Sequence, residues 1–162
     1  RVHGRSPRRP RQDRRWSVIP VMQTIDKIPS GDCFRACVAA ILEMKIDDVP
    51  HFCEGGDHEG KWFVAFRTWL FNRGMCVVTY KWGGDAPPQA MHGYCLVSVP
   101  SRHPDAQKGW LHSVVGRSEL GNDGQLHLHI VHDPNSCRRV NKWDENEIVD
   151  VMWMVRVEGD AP

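Results

Sequence analysis

The sequence predicts an α+β fold: helices in the first half of the chain, packed on an antiparallel sheet of about five strands. Three observations carry that prediction. Apolar residues recur at helical spacing between positions 33 and 71, strand-like runs bounded by turn residues follow from position 75 to the end, and the order is helices first and strands after. The 162 residues suit one domain, and 41% hydrophobic with 25% charged residues is the balance of a water-soluble globular chain. No run approaches the roughly 18 apolar residues that a membrane span needs, so no membrane partner is expected.

The first 21 residues are a separate matter. They hold seven arginines against the single acid Asp13, a net of +6, so the remaining residues carry −5. An Arg- and Pro-rich stretch with little to bury reads as a disordered extension, with the folded domain at 22–162. Nucleic acid is an expected partner only through this basic head.

The first helix is "CFRACVAAILEM", where Cys33, Cys37, Ala40, Ile41 and Met44 form one face. Ser30-Gly31-Asp32 in front of it supplies capping chemistry. "KIDDVPHF" then turns the chain, with Pro50 as the stop. The second helix is "GKWFVAFRTWLFNRG", whose face is Trp62, Phe66, Trp69 and Leu70, and Gly74 suits its C-terminal cap. The strands follow: "MCVVTYKW", "YCLVSVPS", "WLHSVVGRS", "QLHLHIVHD" and "EIVDVMWMVRVE", expected to run as a meander.

The third and fourth strands flank Gly121-Asn122-Asp123-Gly124, a strong hairpin turn. With Asn122 and Asp123 as the two central residues, His112 faces Asp133 and Trp110 faces Asn135. Directly opposed residues project from one side of a sheet with Cβ atoms about 5 Å apart. A carboxylate so placed fixes an imidazole tautomer and stabilises the imidazolium, the orienting half of a catalytic triad. Asn135 is a second candidate orienter, and Trp110 a candidate wall of a substrate groove.

Six cysteines stand at 33, 37, 53, 76, 95 and 137. They read as reduced thiols of a cytoplasmic protein, with Cys76 and Cys95 buried in strands. Cys33 is distinguished by its place. A helix N-terminus offers partial positive charge and free N–H groups, and both favour thiolate. Cys37, one turn inside, reads as core packing. Rival assignments exist. A zinc site would draw on Cys33, Cys37, His51, Cys53, His58, His127, His129 and His132, but paired ligand spacings are missing. A Cys33–Cys37 redox pair would have to distort the helix to bond.

Taken together, "GDCFRACVAAILEMKIDDVPHF", "WLHSVV" and "VHDP" resemble the papain-like cysteine peptidases. The resemblance is nearest to the bacteriocin-processing branch and to small uncharacterised bacterial and phage proteins of that type, and it runs from about Met22 to Asn135. It implies Cys33 as nucleophile, His112 as general base and acid, Asp133 as orienter, and an upstream glutamine, here Gln23, as oxyanion donor. Gln23 lies ten residues before the cysteine, farther than usual in such enzymes, and Phe34 follows the nucleophile where Gly or Trp is more familiar. The implied activity is hydrolysis of a peptide, isopeptide or other amide bond, with a peptide or protein substrate and neither metal nor cofactor. Acyl transfer by the same triad and a non-catalytic binding module of the same fold are the alternatives.

Overall fold

The structure, a computed structural model, describes residues 18–54, 60–83, 91–135 and 143–157. Among these residues are two α-helices, α1 (Cys33–Leu42) and α2 (Lys61–Phe71), and five strands. The strands are β1 (Met75–Lys81), β2 (Gly93–Pro100), β3 (Leu111–Leu120), β4 (Leu126–His132) and β5 (Asp150–Arg156). The α+β class holds, and the strands form one antiparallel sheet.

The expected meander is only half right. The sheet order is β1-β5-β2-β3-β4, so the last strand inserts between the first two. β5 pairs along the whole of β1, from Met75↔Arg156 to Lys81↔Asp150, and with β2 at Leu96, Val97 and Ser98. The buried Ser98 hydroxyl donates to the Asp150 carboxylate at 2.7 Å, fixing that second register. Adjacency in sequence gives way here: β1 ends at Lys81 and β2 begins only at Gly93.

Strand side chains alternate between two cores. Leu96 of β2 and Val115 of β3 face α1 and α2, with Phe34, Cys37, Val38, Phe66 and Leu70. Cys95, Val97, Val99 and Val114 face the other way and meet Leu128, Ile148, Val151 and Trp153, a core built from strands and the segment beside β5. α1 is apolar almost all round because it is covered on two sides. It packs on β3 and β2, while Phe34 meets the edges of the Phe52, Trp62 and Phe66 rings. Small residues, Ala36, Ala39 and Ala40, let its backbone come close.

Several local expectations need correction. Cys95 is buried, but Cys76 is exposed on the edge strand β1. Asp32 occupies the N-cap of α1 yet makes no side-chain cap bond. Its fully buried carboxylate accepts instead from Thr24 N–H, Thr24 Oγ1 at 2.7 Å and Ile25 N–H at 2.9 Å. A buried carboxylate without partners would cost several kcal/mol, so these three donors are what allow it to sit there. Val18 and Val21, upstream of the Met22 boundary, pack against the helix-side core, and the Val21 carbonyl is 2.8 Å from His132 Nε2. Residues 1–17, the Arg-rich part of the head, lie outside the described residues, as do Cys137 and His58.

The hairpin register also differs from the two-residue turn. Gly121 N–H donates to Gln125 O, so the loop has three residues, and Gly124 ends it at φ 75° in the left-handed region that glycine tolerates. Pairs then run Leu120↔Leu126 to Gly116↔Ile130, one residue off the expected register. A second offset follows at Val115↔His132, a bulge whose extra residue, Val131, is left exposed. Gly116 sits at that bulge because a Cβ there would lie 2.6 Å from Val97 Cγ2 and 2.9 Å from Leu128 Cδ1. Gly116→Ala should therefore destabilise the fold by about 1–3 kcal/mol, the range for overpacking. Urea denaturation checks this: an unchanged midpoint would show that the strands part without cost.

Candidate active site

The two register offsets decide where Asp133 points. One offset would turn the downstream half of β4 over, whereas two restore its original side. Continued past His132, the shifted ladder sets Asp133 opposite Val114 and diagonal to His112, on the same side. Pro134 and an Asx-type bond then take the chain out of the sheet: Asn135 N–H donates to Asp133 Oδ1 at 2.9 Å. The same oxygen lies 2.8 Å from His112 Nε2. The expected His112–Asp133 contact is present, although the register that predicted it is not. The expected Trp110–Asn135 pairing falls with that register.

α1 brings the thiol. Its second turn is attached to β3, where the Cys37 thiol donates to the Ser113 carbonyl at 3.3 Å. This sets the first turn, and Cys33, beside His112. Nε2 of His112 is taken by Asp133, so Nδ1 is the nitrogen left for the thiol. Burial alone works against a Cys33 thiolate. The hydrogen bond and positive charge of His112, with backbone N–H groups of Ser113 and Phe34, work for it and win, so the Cys33 pKa lies below the ordinary thiol value. Burial likewise opposes the imidazolium, but its hydrogen bonds to Asp133 and Cys33 and their negative charges push His112 up to about 9. Asp133 is held below the usual carboxylate range: burial opposes this, and the bonds from His112 and Asn135 N–H outweigh it. At neutral pH His112 is therefore held as the imidazolium, and its charge favours the Cys33 thiolate.

Cys37 has the opposite fate. Burial, then the charges of Cys33 and Asp133, drive its pKa well above the ordinary value, and it remains a neutral donor. Ser113 thus serves both cysteines, its carbonyl taking the Cys37 proton and its N–H facing the Cys33 sulfur.

Gln23 is brought to the same place despite its distance in sequence. Its N–H donates to the Pro134 carbonyl at 2.9 Å and its Nε2 to Asp26 Oδ1 at 2.9 Å. One pocket is lined by Gln23, Cys33, Trp110, His112, Asp133 and Asn135, with Asp26, Lys27, Arg102, His103 and Trp143 around them. All six sequence-derived site residues therefore share one cavity. The candidate zinc ligands among the described residues do not gather. His127 bonds Asp123 and His129 faces Glu119 on the exposed hairpin, while His51 and His132 bond the Ser30 and Val21 carbonyls. Among the described residues no three His, Cys, Asp or Glu side chains form a metal-holding group.

Trp143 is a site residue that the sequence reading passed over. Its ring lies 6.4 Å from the His112 ring at 38°, and the Arg102 guanidinium covers it at 3.9 Å. Arg102 is itself anchored to the Glu147 carboxylate at 2.9 Å. Nothing separates Trp143 from the other six tryptophans in composition. The signal was in its neighbours: Asp144-x-x-Glu147 is a capping box, and it fixes the short 3₁₀ turn that follows Trp143.

The chain matches no family model, no curated protein and no solved structure. Among the described residues no helix is long and apolar enough to cross a membrane.

The ion pair makes a direct prediction. Iodoacetamide alkylation of Cys33 should show a midpoint below about pH 8.5, the ordinary cysteine pKa, and should slow as acid protonates the thiolate. His112→Ala removes the largest of the groups that offset burial and leaves only the Ser113 and Phe34 N–H groups, so the midpoint should rise, with the rate at pH 7 falling more than about tenfold. A wild-type midpoint near 8.5, unmoved by His112→Ala, would rule out the pair.

Proposed function

We propose that this protein is a cysteine hydrolase of the papain-like type, cleaving an amide bond through an acyl-enzyme. The observation that carries the reading is the continuous chain Cys33–His112–Asp133, with the thiol at a helix N-terminus and open to a pocket. Each part has a chemical use. The Cys33 thiolate attacks the substrate carbonyl carbon and forms a C–S bond, leaving negative charge on the carbonyl oxygen. When the tetrahedral adduct collapses, the C–N bond breaks and His112 gives its Nδ1 proton to the departing amine. Water then attacks the thioester, His112 accepts its proton, and the Cys33 thiolate leaves.

Asp133 keeps the imidazole in the orientation that turns Nδ1 toward sulfur. Gln23 supplies an amide N–H for the developing oxyanion, alongside free N–H groups of the first turn of α1. Trp143, itself covered by Arg102, flanks the imidazole and limits water around its bond to Asp133. Trp110 forms a wall of the substrate groove.

The test is acylation. Mixed with p-nitrophenyl acetate and with a peptide amide library, the protein should form a thioester adduct on Cys33 and turn it over, as read by intact mass and product release. Cys33→Ala should abolish the adduct. Absence of both adduct and peptide products from a protein with a reactive Cys33 would defeat the reading. Turnover should follow a bell-shaped pH curve, lost in acid as the thiolate is protonated and in alkali as His112 deprotonates near pH 9. Asp133→Ala should lower turnover by about 1,000-fold or more and move the alkaline limb to lower pH, because Asp133 is a cause of the raised His112 value. An alkaline limb that stays in place would remove Asp133 from the triad.

A further inference from the structure

We propose that Asp32, the buried carboxylate immediately before the nucleophile, is a positioning residue that holds Gln23 in place for oxyanion binding. The inference rests on the hydrolase reading above, with Gln23 as oxyanion donor.

Asp32 stands where a helix-capping side chain belongs. Such a side chain ordinarily accepts from the second or third N–H of the helix. Here it does not, and the second N–H, that of Phe34, is directed to the Cys33 sulfur. The carboxylate turns instead to the two residues after Gln23, taking Thr24 N–H, Thr24 Oγ1 and Ile25 N–H. Asp32 N–H returns a bond to the Ile25 carbonyl at 3.2 Å. On its other side Gln23 is tied to the residue after Asp133, through its own N–H to the Pro134 carbonyl. The backbone of Gln23 is thus clamped between the residue preceding the nucleophile and the residue following the orienter. Asp26 accepts one hydrogen of the Gln23 amide, leaving the other for a substrate oxygen.

One clamp replaces a short covalent path. Gln23 is joined to Cys33 by nine intervening residues of chain without regular structure, and a loop of that length does not hold a side chain to the accuracy that catalysis needs. Loss of the Asp32 carboxylate would free two backbone N–H groups beside Gln23 while leaving the Cys33–His112–Asp133 contacts intact.

Two reagents separate these roles. Iodoacetamide alkylates a thiolate without generating an oxyanion. With p-nitrophenyl acetate, by contrast, Cys33 attacks the acetyl carbonyl, an oxyanion forms, and p-nitrophenolate leaves as the thioester closes. Gln23→Ala sets the reference, with acylation slowed about 100-fold, the usual loss of one oxyanion donor. Asp32→Ala should slow acylation comparably and leave alkylation no slower, since removing a nearby negative charge does not disfavour the thiolate. The double variant should be no slower than Gln23→Ala alone. Asp32→Asn, which keeps one acceptor oxygen, should recover part of the rate. If Asp32→Ala does not fold, as judged by near-UV circular dichroism, Thr24→Val carries the test: acylation should fall several-fold with alkylation unchanged.

Wild-type acylation rates in Asp32→Ala or Thr24→Val, or losses that multiply in the double variant, would overturn the proposal. A wild-type protein that is alkylated but never acylated would overturn the hydrolase reading itself, a different and recognisable failure.

Discussion

The pairing of β3 with β4 is the constraint on which the site depends. A single residue of slip in an antiparallel ladder turns every downstream side chain to the opposite face. Here the three-residue loop closed by Gly121 and Gln125 slips the ladder once, and the bulge at Val131 slips it again. The two cancel in parity, and Asp133 returns to the side of His112. Gly116 permits this because any side chain there would collide with Val97 and Leu128. The outcome is a short bond between a histidine at one end of β3 and an aspartate just beyond β4, made by a ladder that never places them directly opposite.

Around that bond, charge balance distinguishes groups of the same chemical kind. Cys33 and Cys37 lie one helical turn apart on the same helix and meet the same residue, Ser113. Cys33 receives an imidazolium and two N–H donors, which outweigh burial and favour thiolate. Cys37 receives a carbonyl and the negative charges of its neighbours, which add to burial and hold it neutral. Asp32 and Asp133 are a comparable pair of buried carboxylates. Asp133 faces an imidazole, while Asp32 faces backbone and hydroxyl donors of the chain that carries Gln23.

The second core lies on the sheet face turned away from α1 and α2, and strands and the segment beside β5 build it. Val97, Val99, Val114, Val151 and Trp153 bury one another across the sheet, and Trp153 Nε1 is satisfied by the Ser118 hydroxyl at 3.0 Å. Both cores meet at β2 and β3, whose alternate residues serve one or the other. The segment leading into β5 belongs to this second core through Ile148, and the same segment presents Trp143 to His112.

Helices, strands and their order were legible in the sequence because period, capping residues and turn residues are local properties. The placing of Cys33 at a helix start was local too, and so were the candidate roles of His112 and Asp133 once a hairpin was recognised. The register was not: a two-residue and a three-residue loop share the same Gly-Asn-Asp-Gly letters, and a bulge has no signature in β4 itself. Nor could the sequence order the strands, since β5 reaches its place through pairing with residues 52 to 81 positions earlier. Gln23, Asp32 and Trp143 became neighbours of the thiol only through long-range hydrogen bonds and packing. By itself the sequence determined which chemical groups were present and which elements bore them. The tertiary structure decided which nitrogen of His112 meets Asp133, which cysteine gains a positive partner and what Asp32 holds, because each depends on groups that only folding brings within a few ångströms.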